Sequence, residues 1–146
     1  LKEYYSSVLS AFELDDGHFL HKEDKSFFEK MMQIIDSHIQ NTDLSVELLS
    51  SSLGYSTRQF YRKLKNVTEK TPADIIREYR LTIVERLLLT TQLSIEEIMD
   101  KTGFSNRGTF YKAFAQKFEM TPKQYRNIKT KDVHDVSEEG GGTMNA

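Results

Sequence analysis

The chain repeats itself, and that repeat narrows the open folds more than any other feature. Ser45, Gly54, Tyr55, Ser56 and Arg58 recur as Ser94, Gly103, Phe104, Ser105 and Arg107 at an offset of 49. Phe60, Tyr61, Arg62, Leu64, Thr71 and Pro72 recur as Phe110, Tyr111, Lys112, Phe114, Thr121 and Pro122 at an offset of 50. One extra residue near Gly108 accounts for the change. Each copy reads as a short helix, a glycine turn, a second helix with a basic face, and a closing Thr-Pro. Two such units imply an all-α fold of two helix-turn-helix subdomains.

The apolar spacing supplies the other elements. Residues 1–13, LKEYYSSVLSAFE, form an amphipathic helix, and 14–24, LDDGHFLHKED, an acidic loop. Asp24 or Ser26 caps a helix running to about Ile39, with Phe27, Phe28, Met31, Ile34, Ile35 and Ile39 on its apolar stripe. Ser45 caps a short helix that Gly54 ends, and Ser56 caps TRQFYRKLKNV. Pro72, well placed at a first helical position, opens a helix to Thr90 with Ile75, Ile76, Tyr79, Ile83, Leu87 and Leu88 inward. Ser94 and Glu97 make a capping box for IEEIMDKT. Ser105 is the expected cap of the helix to Phe118, and PKQYRNI follows as a last short helix. The glycine-rich tail should be disordered. These readings divide the chain into 1–25 (linker helix and acidic loop), 26–71, 72–90 (connecting helix), 91–129 and 130–146.

The net charge of −2 argues against a polyanionic partner until it is divided by region. Residues 1–55 hold 4 Lys/Arg against 10 Asp/Glu, 56–131 hold 16 against 8, and 132–146 hold none against 4. The positive field therefore coincides with the repeat, and a local field is what attracts a phosphate backbone. A connecting helix of about 18 residues spans roughly 27 Å. With the width of its flanking units, that suits two recognition helices set into major grooves one duplex turn, about 34 Å, apart. A packing-only repeat leaves the polar, basic first turns of both copies unexplained.

Other chemistries find little support. There is no cysteine, which excludes disulfides and thiolate metal sites and fits a reducing compartment. No apolar run reaches membrane-spanning length, and no signal peptide is visible. His18, His21, His38 and His134 are scattered, and no nucleophile–base pair or phosphate-cradling loop is apparent. We therefore expect no enzyme, no metal and no cofactor. Two rivals remain: a protein–protein interaction module using the 1–13 helix, and a phosphotransfer module using His38. The start at Leu1 suggests a piece of something longer.

LGYSTRQFYRKLK, TPADIIREYRLTIVERLLL, SIEEIMDKTGFSNRGTFYKAF and TPKQYR carry a resemblance. On them, residues 27–128 resemble the DNA-binding domain of the arabinose-regulator (AraC/XylS) family of bacterial transcription factors. The resemblance implies seven helices, with Ser56–Asn66 and Ser105–Phe118 as recognition helices. Arg58, Tyr61, Arg62, Arg107, Gly108, Thr109 and Lys112 fall at the family's base-contacting positions. Ser56, Thr57, Gln59, Lys63, Lys65, Ser105, Asn106 and Tyr111 are candidates for phosphate or flanking contacts. Arg77, Arg80 and Arg86 are expected to pair with Glu78 or Glu85. Glu69 and Glu119 stand where a glycine usually ends each recognition helix, and Ser50 and Met99 where alanine is usual.

Asp24–Lys25–Ser26–Phe27–Phe28 and the run Tyr61–Arg62–Lys63–Leu64–Lys65 are similar to effectors that end hybrid two-component sensor kinase/response regulators, many of them carbohydrate-responsive. In that setting residues 1–25 join a receiver domain to the effector. The implied partners are double-stranded DNA, RNA polymerase, the upstream receiver domain and a second copy through residues 1–13. The segment itself would make no membrane contact. The implied location is cytoplasmic, with a full-length parent that can be anchored in the inner membrane and carry histidine kinase activity.

Overall fold

The structure, a computed structural model, describes residues 22–130. The expected 1–13 helix, most of the acidic loop, His18, His21, His134 and the glycine-rich tail lie outside the described residues. Every regular element among the described residues is a helix. In chain order they are α1 (Lys22–Ser37), α2 (Val46–Ser52), α3 (Thr57–Val67), α4 (Pro72–Thr90), α5 (Ile95–Thr102) and α6 (Arg107–Phe118), then α7 over 122–130. The chain divides into two compact units between Ile83 and Val84, within α4.

In the first unit, α1 starts at Lys22, inside the expected acidic loop, and stops at Ser37 rather than Ile39. Glu23 and Asp24 lie in its first turn, where carboxylates complement the positive end of the helix dipole. At the other end the Ser37 hydroxyl donates to the Ile34 carbonyl at 2.9 Å, and His38 Nδ1 lies 2.9 Å from the same oxygen. The stripe is Phe27, Phe28, Met31, Met32 and Ile35, all buried. Met32 was not among the expected residues, whereas Ile34 and Ile39 are only half-buried. Phe27 meets Phe60 of α3 at 5.9 Å between ring centroids and Tyr55 of the preceding turn at 5.8 Å.

Leu49, Phe60, Leu64, Ile75, Ile76 and Tyr79 complete this core. Tyr79 is fully buried and its hydroxyl donates to Asp36. A buried phenol without such a partner would carry an unmet desolvation cost.

Arg77 and Arg80 of α4 find other partners than expected. Arg77 donates to Asp74 at 2.6 Å, and Arg80 to the Asn41 carbonyl at 2.8 Å. Glu78 is taken by Lys70 at 3.1 Å and Glu85 by the Tyr125 hydroxyl. Arg80 needs only a 39-residue chain reversal that sequence spacing does not reveal.

In the second unit, Val84 and Leu88 of α4 pack with Ile98, Met99, Phe110, Ala113, Phe114 and Tyr125. The rings run in series. Phe104 lies 5.1 Å from Phe110, Phe114 4.4 Å from Phe118, and Tyr125 5.0 Å from Phe118. The end of α4 leaves carbonyls without intrahelical partners. Arg126 supplies donors to Leu88 at 3.0 Å, Leu93 at 2.7 Å and Thr91 at 3.3 Å. A cation at a helix C-terminus also matches the dipole.

Candidate nucleic-acid interface

Each unit aims its second short helix by the same device. Gly54 and Gly103 adopt φ of +80° and +81°, a left-handed turn that a residue with a Cβ adopts at a cost. Around Gly54 there is no atom for a Cβ to strike, so its requirement is purely one of backbone conformation. At the start of α3, the Ser56 hydroxyl accepts from the Gln59 amide at 3.1 Å, and the Gln59 carboxamide oxygen accepts from the Ser56 amide at 2.9 Å. This capping box fixes where the helix begins.

Phe60 and Leu64 are buried, and at about 100° per residue that sets the helical phase. Arg58, Arg62 and Lys65 then lie opposite the core, flanked by Tyr61 and Asn66, and all five are exposed. Thr57 is half-buried. Lys63 borders the apolar stripe. It pairs with Asp24 of α1 at 3.2 Å, with its ammonium 6.0 Å from the Phe27 ring centre.

The second unit differs at its cap. Ser105 is not the N-cap: Asn106 is, with φ −116° and ψ 118°, and its side-chain oxygen accepts from the Thr109 amide at 2.8 Å. The extra residue of the second copy therefore sits in the turn at Ser105, not at Gly108. Ser56 aligns with Asn106, Thr57 with Arg107, Arg58 with Gly108, Gln59 with Thr109 and Arg62 with Lys112. Arg107 is thus not the counterpart of Arg58.

Gly108 also has a local reason. A Cβ there would lie 3.3 Å from the Asn106 cap oxygen, which an ordinary side chain would crowd. With Phe110 and Phe114 buried, the outward quadrant of α6 holds Gly108, Lys112, Ala115 and Gln116, all exposed. Thr109 is exposed beside it.

Arg107 occupies the edge of this face. It donates to Glu96 of α5 and to the Tyr111 hydroxyl at 3.3 Å, with its guanidinium 5.1 Å from the Tyr111 ring centre. The hydrogen bond from Arg107 holds the Glu96 carboxyl below its usual range, and Glu96 raises Arg107 in return. Beyond the helix, Glu119 takes the left-handed conformation at φ 59°. The first copy ends otherwise, with Thr68 extended at φ −153° and Glu69 outside the left-handed region.

The structure thus brings Arg58, Tyr61 and Arg62 to one exposed face, and Gly108, Thr109 and Lys112 to another. It ties Lys63 and Arg107 to acidic neighbours. Ser56, Gln59 and Asn106 are engaged as caps. Asn66 and Gln116 were not singled out from the sequence, although each lies four residues beyond a chosen cation and shares its phase. Glu96 gave no local signal, since it meets Arg107 only through the glycine turn. Among the described residues no three His, Asp or Glu side chains gather as a metal site, and no helix is long and apolar enough to cross a membrane.

Comparison with known proteins agrees with this arrangement. A family profile described as a helix-turn-helix domain matches residues 49–128. The regulatory protein SoxS of Escherichia coli is 30% identical over 103 residues, covering 70% of this chain and 95% of SoxS. Histidine kinase P4 of Formosa agariphila is 34% identical over 104 residues, 71% of this chain but 8% of the kinase's length. The crystal structure of the C-terminal domain of the two-component response regulator yesN from Fusobacterium nucleatum matches with a TM-score of 0.62 and 28% identity, covering 67% of this chain and 95% of that domain.

Proposed function

Because the chain belongs to the AraC family of helix-turn-helix DNA-binding transcription regulators, we propose that it reads its operator through α3 and α6 as the output end of a two-component protein. The domain is a DNA-binding regulator and not an enzyme. The observation that carries the assignment of the reading faces is the helical phase set by Phe60 and Leu64 in α3 and by Phe110 and Phe114 in α6.

Arg58 and Arg62 offer planar, bidentate donors suited to guanine. Tyr61 supplies an exposed ring and hydroxyl beside them. Thr109 offers a hydroxyl or a methyl contact, Lys112 a cation, and Gly108 a bare stretch of backbone. Thr57, Lys65 and Tyr111 suit phosphate or flanking contacts. Arg107, at the edge and paired with Glu96, flanks this face without being one of its phosphate contacts. The two repeats and the single helix between them favour reading two successive grooves of one duplex.

The two-component part is supported by the similarity to a segment of Histidine kinase P4 and to the response-regulator domain. A carbohydrate signal rests on the resemblance of residues 24–28 and 61–65 alone. Residues 1–25 would be the link to a receiver.

Binding-site selection from random duplexes, at a fixed salt concentration, tests the reading. Two preferred blocks centred about 10 base pairs apart are expected; a single block overturns the two-groove reading, and no enrichment overturns sequence-specific recognition. DNA occupancy by the full-length protein before and after acetyl phosphate treatment tests the signalling part. Unchanged occupancy overturns it.

A further inference from the structure

The ion pair between Glu96 and Arg107 has no counterpart in the first unit, where Thr57 holds the position equivalent to Arg107. Arg107 is the first residue of α6, beside the positive end of the helix dipole, an unfavourable place for a cation. Two groups hold it there: the Glu96 carboxylate from α5, and Tyr111, which accepts a hydrogen bond and lies under the guanidinium. Both charged side chains remain largely open to solvent, at 61% and 64% exposure. An exposed pair contributes little to folding. Its charge balance, however, lies where a phosphate backbone would approach α6.

We propose that Glu96 is a positioning residue of the DNA interface, which holds Arg107 against Tyr111 and cancels its attraction for phosphate, so that α6 engages DNA with little electrostatic affinity. This rests on the DNA-reading assignment above. The surroundings of α6 agree with it. Its outward quadrant carries one cation, Lys112, where the equivalent quadrant of α3 carries Arg58, Arg62 and Lys65. The outward quadrant of the second reader is poor in charge, and Glu96 neutralises the cation at its edge, Arg107.

The test is a charge cycle in the full chain, read as the dependence of duplex affinity on salt. Glu96→Gln, Arg107→Gln, the double variant and Asp100→Asn are titrated by fluorescence anisotropy against a selected duplex and a scrambled one, between about 50 and 200 mM KCl. Freeing Arg107 for one phosphate steepens the slope of log K against log salt by about 0.9. Across that fourfold range the change in affinity is then about threefold larger than for the parent.

The expected result is that steepening for Glu96→Gln on both duplexes, with only a small fall in melting temperature for the carboxylate lost from the first turn of α5. Arg107→Gln, which leaves the Glu96 carboxylate unpaired, should flatten the slope by less than half as much, and the double variant, with neither charge, should match the parent. Asp100→Asn, which removes the same charge from the same helix, should have a smaller effect than Glu96→Gln. A slope for Glu96→Gln equal to or shallower than the parent's overturns the proposal. So does a full loss of about 0.9 from Arg107→Gln alone, which would make Arg107 a phosphate contact despite its partner. A parent that binds neither duplex overturns the DNA reading, and this proposal with it.

Discussion

Asn106, not Ser105, accepts the Thr109 amide, and that one side chain sets where α6 begins. Replacing an N-cap side chain with alanine costs about 1 kcal/mol. Asn106→Ala should therefore lower stability by about that amount in urea titration, while Ser105→Ala should leave the midpoint nearly unchanged. Sequence comparison favoured Ser105 because it matches Ser56 in type. A cap is decided by backbone conformation and by reach to the third amide, and an inserted residue can precede or follow it without leaving a trace in composition. The same displacement separates Arg58 from Arg107. Arg58→Ala should lose about 1–3 kcal/mol of discrimination at one base position, measured as the affinity ratio of selected to substituted duplex. A second residue acts on stability alone. Burial, then the hydrogen bond to Glu85, pushes the Tyr125 hydroxyl far above its ordinary value. The native state keeps this proton where the unfolded chain loses it, above about pH 10. The stabilisation is complete below that pH and falls as pH rises. Tyr125→Phe should thus flatten the alkaline loss of stability in urea titrations made on either side of pH 10.

At the scale of elements, both reading helices begin on a polar side-chain cap, Ser56 or Asn106, but they end differently. Glu119 closes α6 in the left-handed region, with its amide donating to the Ala115 carbonyl at 2.8 Å, whereas Thr68 closes α3 extended. A left-handed conformation costs a residue with a Cβ roughly 1 kcal/mol relative to glycine. Glu119→Gly should raise stability by about that much, offset in part by the greater freedom of glycine in the unfolded chain. Glu69→Gly should give no gain, since Glu69 carries no such strain. Thermal denaturation of the two variants side by side checks both. The elements themselves were largely legible. Ser45, Ser56 and Ser94 cap as read, because each precedes a periodic apolar run and leaves its amide partner at the third position. The start of α1 was missed because Lys22, Glu23 and Asp24 contribute no apolar periodicity. Their acidic first turn was the available signal. The partners of Arg77 and Arg80 were misread because charge proximity along α4 favours Glu78 and Glu85, while tertiary packing had already given those carboxylates to Lys70 and Tyr125.

For the whole molecule, a net charge of −2 conceals where the binding charge lies. The exposed cations opposite the core of α3 number three, Arg58, Arg62 and Lys65, and the same quadrant of α6 offers Lys112. In sequence the two copies look like matched readers, because each has a basic, polar first turn. That symmetry dissolves once Arg58 aligns with Gly108 and Arg107 is held by Glu96. What remains symmetrical is the apolar core, Phe60 with Phe110 and Leu64 with Phe114. Burial constrains those side chains in shape, whereas the exposed outward positions are under no such packing constraint. If salt sensitivity comes from phosphates neutralised on the outward faces, it must be divided unequally between α3 and α6. Each phosphate contact contributes about 0.9 to the slope of log affinity against log salt. The triple variant Arg58→Gln, Arg62→Gln, Lys65→Gln should therefore lose up to about 2.7 of that slope, and Lys112→Gln no more than about 0.9. Anisotropy titrations of a scrambled duplex, where base contacts are absent, measure both. Equal losses would mean that the second reader draws its charge from cations outside that quadrant, with Lys117 and Lys123 the first to replace.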